Sequence, residues 1–135
     1  MAKKRMFSLD VVETDDFLDM PASAQALYFH LGMHGDDDGF VASPKKIQRG
    51  CGSRPSDLKL LRDKGYIISF DSGVIVLRDW LLNNELKNDR YRATIYCDEK
   101  YRLCLDDSKR YMPLSQLDPS RLQNGSISEP QHNVT

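Results

Sequence analysis

At Gly65 the apolar residues change their period, and that switch limits the folds open to this chain more than any other feature. Beyond it, Tyr66–Phe70 and Val74–Trp80 are β-branched and aromatic runs separated by Asp71, Ser72 and Gly73. Two such runs around a glycine-containing turn specify an antiparallel hairpin. Upstream the spacing is helical. Pro21 opens a helix in which Ala24, Leu27, Tyr28 and Leu31 fall at i, i+3, i+4 and i+7, ending near His34 or Gly35. Phe40–Ala42 gives a very short strand. Ser43 and Pro44 then start a second helix running through Arg49, with Ile47 and Cys51 as its buried side and Gly50 and Gly52 closing it. Ser53 caps a third, with Leu58 and Leu61 inward and Arg54, Ser56, Lys59 and Arg62 outward, until Gly65 ends it.

The order helix, short strand, helix, helix, hairpin predicts a winged helix-turn-helix, whose second paired helix can enter a major groove. The fold class expected is α+β, mainly α, with an extra C-terminal helix. Residues 1–82 form the winged-helix domain, including an N-terminal extension with a short turn or helix capped by Ser8. A polar, basic connector follows over 83–93. The extra helix spans 94–106, where Thr94 caps and Cys97, Tyr101, Cys104 and Leu105 form one stripe that must be buried on the domain or on a second copy. Residues 107–135 form a tail, mostly disordered, with Pro, Ser, Asn, Gln and Gly dominating from Pro113.

The 135 residues suit one domain and a tail, and the net charge of −1 gives no global pull toward nucleic acid. The distribution says more. Met6 to Ala42 holds eight acids and no Lys or Arg, whereas Ser43 to Gly65 holds seven cations against Asp57 and Asp63, a net +5. Within the basic stretch, Arg54, Ser56 and Lys59 near the start of the third helix could reach base edges, while Lys45, Lys46 and Arg49 on the second meet phosphates. Arg62, Arg90 and Arg92 complete the expected DNA-binding set. The bland reading is a solvated helix face. Lys87, Arg90, Tyr91 and Arg92 interleave cations with a ring, which suits phosphate contact and stacking on single-stranded bases; the alternative is a linker whose Tyr91 packs on the domain. The hairpin tip offers an acid, Asp71, where a minor-groove wing offers Lys or Arg, so it reads as structural.

Other chemistries find no support. Cys51, Cys97 and Cys104 are odd in number and lack CxxC spacing, so they read as reduced thiols, buried or half-buried. His30 and His34 lie at i, i+4 without the intervening Glu or a third ligand, and a calcium loop started at His34 fails at both ends, with Lys45 where the bidentate Glu belongs. Asp36 to Gly39 reads instead as a turn whose carboxylates bond nearby amides. There is no phosphate-binding glycine loop and no nucleophile elbow, so neither an enzyme nor a cofactor is expected. No apolar run reaches the length of a membrane span and no signal-peptide pattern is present, so the expected location is the cytoplasm.

A set of short matches in order adds a resemblance. Phe17 to Pro21, Ser23 to Leu31, Asp36 to Val41, Pro44 to Ile47, Asp57 to Leu61, Ser72 to Val76, Trp80 with Asn83 and Asn84, and Asp89 to Tyr91 with Thr94 and Tyr96 resemble the N-terminal domain of phage replisome organisers related to the bacterial primosome protein DnaD. The resemblance covers roughly residues 4–105. It implies a winged helix that acts in initiating phage DNA replication in a bacterial host, binds origin-region DNA, self-associates and helps helicase and primase to load. Nothing after Leu105 matches the second, helical domain that much of that family carries, which leaves DNA binding and self-association as the properties carried over.

The expected function is therefore non-catalytic DNA binding in phage replication, with double-stranded DNA favoured over single strands. Homo-oligomerisation through the last helix or the N-terminal segment, and contact with host or phage replication proteins, accompany it. The alternatives are a winged helix used as a protein-interaction module, to which the acidic block is suited, and a phage transcriptional regulator, which differs only in its DNA site.

Overall fold

The computed structural model describes residues 3–85 and 89–117. Two single-turn helices come first, α1 (Leu9–Val12) and α2 (Asp15–Leu18), because Ser8 accepts from the Asp10 amide and Thr14 from that of Phe17. The longer α3 (Ala22–Met33) turns Ala24, Leu27, Tyr28 and Leu31 inward, all four fully buried, as the period predicts. Strand β1 (Phe40–Val41) leads to α4 (Pro44–Gly50) and α5 (Pro55–Asp63), both of which pack on α3 and on each other. Strands β2 (Ile67–Ser69) and β3 (Ile75–Leu77) form the hairpin. Both β1 and β2 pair antiparallel with β3, giving the order β1–β3–β2 with Phe40 and Ile68 both opposite Val76. All three residues of β3 are buried, as befits a central strand. The molecule is thus α+β and mainly helical, with small antiparallel sheets.

The core has an aromatic half and a Trp80 half. Phe7, Phe17, Tyr28, Phe29 and Tyr66 meet edge to face, with ring centroids 5.0 to 6.1 Å apart, and so clamp α2 and the segment leading into α1 to α3. Trp80, 1 % exposed, opens α6 (Trp80–Asn83) and donates its indole N–H to the Asp37 carbonyl at 3.0 Å. Gly39, at φ +91°, lies against it. A Cβ there would come within 2.5 to 2.8 Å of three Trp80 atoms, so both conformation and space require glycine. Buried Asn83 accepts from the Ser8 amide and donates to the Tyr28 hydroxyl, and Asn84 accepts from the Met6 amide, which pins the N-terminal extension to the domain.

Local corrections concern caps and faces. The cap of α5 is Arg54, followed by Pro55, and not Ser53, whose hydroxyl donates instead to the Ser23 carbonyl at 2.9 Å. Ser43 precedes α4 without a side-chain cap bond. The fully buried side of α4 is Pro44 and Gln48; Ile47 and Cys51 flank it, half-buried against the core. The returning hairpin run stops at Leu77, and Trp80 begins a helical turn.

The larger correction lies beyond the hairpin. The helix expected over 94–106 is only one turn, α7 (Cys97–Tyr101), followed by a second hairpin of β4 (Leu103–Leu105) and β5 (Tyr111–Pro113), with Cys104 opposite Met112. The apolar spacing suited both periods, and a short run cannot be assigned by period alone. Two facts decide for strand. Leu103, Cys104 and Leu105 are buried in succession, which one face of a helix cannot achieve, and Asp106 to Lys109 makes the turn, with Asp106 accepting from the Ser108 and Arg110 amides and Lys109 at φ +61°. Tyr101, expected in the buried stripe, is exposed. The first part of the expected tail is instead structured: Tyr111 is buried, and a 3-10 turn occupies Leu114–Gln116. Residues 118–135, the rest of the expected tail, lie outside the described residues. Among those described, no helix is long and apolar enough to cross a membrane.

Candidate nucleic-acid interface

Seven cations lie between Ser43 and Gly65, and the fold separates those that are occupied from those that are not. Pro44 and Gln48 face inward on α4, so Lys45, Lys46 and Arg49 face outward together. On α5, Asp57 and Leu61 are buried, which leaves Arg54, Ser56, Lys59 and Arg62 exposed. Among the described residues no carboxylate lies within ion-pair distance of Lys45, Lys46, Arg49, Arg54 or Arg62. Lys59 is engaged on the helix surface by Asp63 at 2.6 Å, a pair exposed enough for solvent to weaken it. Lys64 is engaged by Asp16 of α2 at 2.8 Å. The hydrogen bonds from Lys64 and Tyr66 hold the Asp16 carboxyl below the usual carboxylate range. Tyr66 moves the other way, up to about 12, through burial and that same contact.

Four of the eight carboxylates of the acidic block, Asp16, Asp36, Asp37 and Asp38, are engaged within the domain. Asp36 Oδ1 accepts from the amides of Asp38 and Phe40 at 2.9 and 3.0 Å, the turn expected from its sequence. Burial pushes its acid up despite those bonds. Asp37 accepts from Arg5 and from the Arg92 amide, and the Arg5 guanidinium also lies 5.1 Å from the centre of the Trp80 ring. Of the basic N-terminal tip, Arg5 is thereby structural.

Asp38, 4 % exposed, is a hub whose role has no local signal in the sequence. Its carboxylate accepts from the Tyr91 hydroxyl at 2.7 Å, the Thr94 amide at 2.8 Å and the buried Lys100 ammonium at 3.1 Å, and its carbonyl accepts from the Tyr111 hydroxyl. These partners lie 53 to 73 residues away. Asp79, 1 % exposed, plays the same part nearby, meeting Arg78 at 3.1 Å and Arg110 at 3.0 Å. Arg78 is therefore not a free contact on the hairpin.

Comparison of the chain with family models, with curated proteins and with solved structures finds no match.

The second basic constellation changes character in this setting. Tyr91 is half-buried, its hydroxyl is held by Asp38, and Lys100 lies 5.8 Å from its ring centre, so the ring packs on the domain and is not presented to bases. Burial and Asp38 raise its ionisation above the ordinary tyrosine range. Arg90 and Arg92 keep exposed side chains, and Arg92 lines a cavity of about 340 Å³ with Arg5, His34, Asp36, Phe40 and Ile95, on the acidic-turn side of β1. Lys87 lies outside the described residues. The hairpin tip is tied down too: Ser72 donates to Glu99 of α7 at 2.7 Å. His34 directs Nδ1 to the His30 carbonyl, and among the described residues no group of three or more His, Cys, Asp or Glu is arranged to hold a metal. Cys104 is buried and Cys51 half-buried, whereas Cys97, expected to be covered, is exposed.

Proposed function

We propose that this chain is a non-catalytic DNA-binding protein whose winged helix-turn-helix lays α5 in the major groove of duplex DNA and sets α4 against the phosphates. In that reading α3, α4 and α5 are the three helices, β1–β3–β2 is the small sheet, and the β2–β3 hairpin is the wing. The observation that carries it is the exposed cation set on α4 and α5, five of whose members have no carboxylate in reach among the described residues. Opposing charges on such a surface are phosphates. The wing, acidic at Asp71 and fastened to Glu99, contributes shape and not contact.

The place of this activity is the initiation of phage DNA replication. That assignment is supported by the resemblance of residues 4–105 to phage replisome organisers, and a transcriptional role differs from it only in the site bound. Self-association raises the effective affinity of single weak sites. Its apolar groups are Leu9 and Leu18, exposed on α1 and α2, because Cys104 and Leu105 of the stripe expected on a C-terminal helix are buried in the second hairpin.

Amide chemical shifts of the 15N-labelled chain, followed during titration with a short duplex, test the assignment. The expected changes concentrate between residues 44 and 62. Changes confined to the acidic residues 10–19, or none at low salt, contradict it and favour a protein-interaction module.

A further inference from the structure

The side chains that α4 and α5 leave facing outward are almost all hydrogen-bond donors. Lys45, Lys46, Arg49, Arg54, Lys59 and Arg62 donate only, and Ser56 does either. Apart from Ser56, the side chains that could serve adenine or cytosine are turned inward or lie at the far end of α5. Gln48 is the one amide side chain in 44–63; it is 6 % exposed and donates to the Ser53 carbonyl. Asp57 is buried and accepts from the Arg54 amide at 2.8 Å. Asp63 sits in the last turn of α5, whereas a helix in this setting reads bases from its N-terminal residues.

A donor-only surface is matched best by the base edge richest in acceptors; thymine offers only O4, beside its methyl group. Guanine presents two acceptors there, N7 and O6, adenine pairs an acceptor with a donor, and cytosine offers a donor. We infer that the duplex sites this chain selects carry guanines in succession on one strand, read by Arg54 and Lys59 in the major groove. This inference rests on the DNA-binding reading above and deepens it by naming the base.

Fluorescence anisotropy on duplexes of equal length tests it with the full chain at fixed salt. A duplex with a guanine run on one strand binds about ten-fold or more tighter than one of alternating A·T pairs, since one good bidentate contact discriminates on the order of five- to one-hundred-fold. Substituting 7-deazaguanine, which lacks only the N7 acceptor, removes that advantage. Substituting inosine, which keeps N7 and O6 and lacks the minor-groove amine, preserves it. The double variant R54A/K59A, altered at exposed positions only, binds both duplexes alike while remaining folded by circular dichroism. Salt-sensitive binding that is blind to composition, favours A·T, or ignores 7-deazaguanine overturns the guanine assignment and leaves DNA binding standing. Absence of binding to every duplex at low salt overturns the DNA reading and this inference with it.

Discussion

Replacing Lys45, Lys46 and Arg49 together by glutamate abolishes duplex binding and leaves the fold intact. Each neutralised phosphate contributes roughly 0.9 to the slope of log affinity against log salt, so three lost contacts remove on the order of several hundred-fold at about 0.1 M salt. Repulsion from three new carboxylates adds to that loss. The fold tolerates the change because all three side chains are exposed and none has an ion-pair partner among the described residues. Acids at positions 45 and 46 suit the first turn of α4, whereas one at 49, in its last turn, is mildly unfavourable; the net change stays within about 0.5 kcal/mol. Anisotropy and thermal denaturation read the two halves of this result. Retained affinity in a folded variant removes α4 from the interface.

Asp38→Ala has the opposite signature: a large stability loss with the basic face untouched. The substitution strands the Lys100 ammonium, 4 % exposed as a residue, with no counter-charge, and takes the acceptor from the Thr94 amide and the Tyr91 hydroxyl. Breaking a buried pair from one side costs about 3–5 kcal/mol. For a chain of this size that lowers the melting temperature by roughly 10–20 °C. The double variant D38L/K100M recovers much of the loss, because two apolar side chains leave no charge unpaired. A single variant that melts within a few degrees of the parent contradicts the hub. The comparison also isolates what the hub does, which is to fasten residues 91–111 to the turn after α3.

The helices around the basic face were legible because their signals are local. Pro21, Pro44 and Gly65 mark boundaries, and Ala24, Leu27, Tyr28 and Leu31 keep one period through a helix long enough to display it. The exposure of Lys45, Lys46, Arg49, Arg54, Ser56, Lys59 and Arg62 followed from the same periodicity. What lay beyond Asn84 was not legible, for two physical reasons. Cys97 to Leu105 is too short for its period to separate strand from helix, and the turn at Asp106 to Lys109, which settles the matter, carries no glycine. The second reason is distance along the chain. A run of three aspartates reads as a solvated turn, and only its contacts with Arg5, Tyr91, Thr94 and Lys100 turn Asp36, Asp37 and Asp38 into the joint between the two hairpins' ends of the molecule. The same contacts change the reading of Tyr91, from a ring among cations to a ring held by a buried carboxylate.

The most direct test of duplex binding through α4 and α5 is the salt dependence of the unaltered chain's affinity. Up to six exposed cations face the duplex, so log affinity against log salt should fall with a slope between about −3 and −5. A slope near zero, or binding that strengthens with salt, contradicts a phosphate interface on this face.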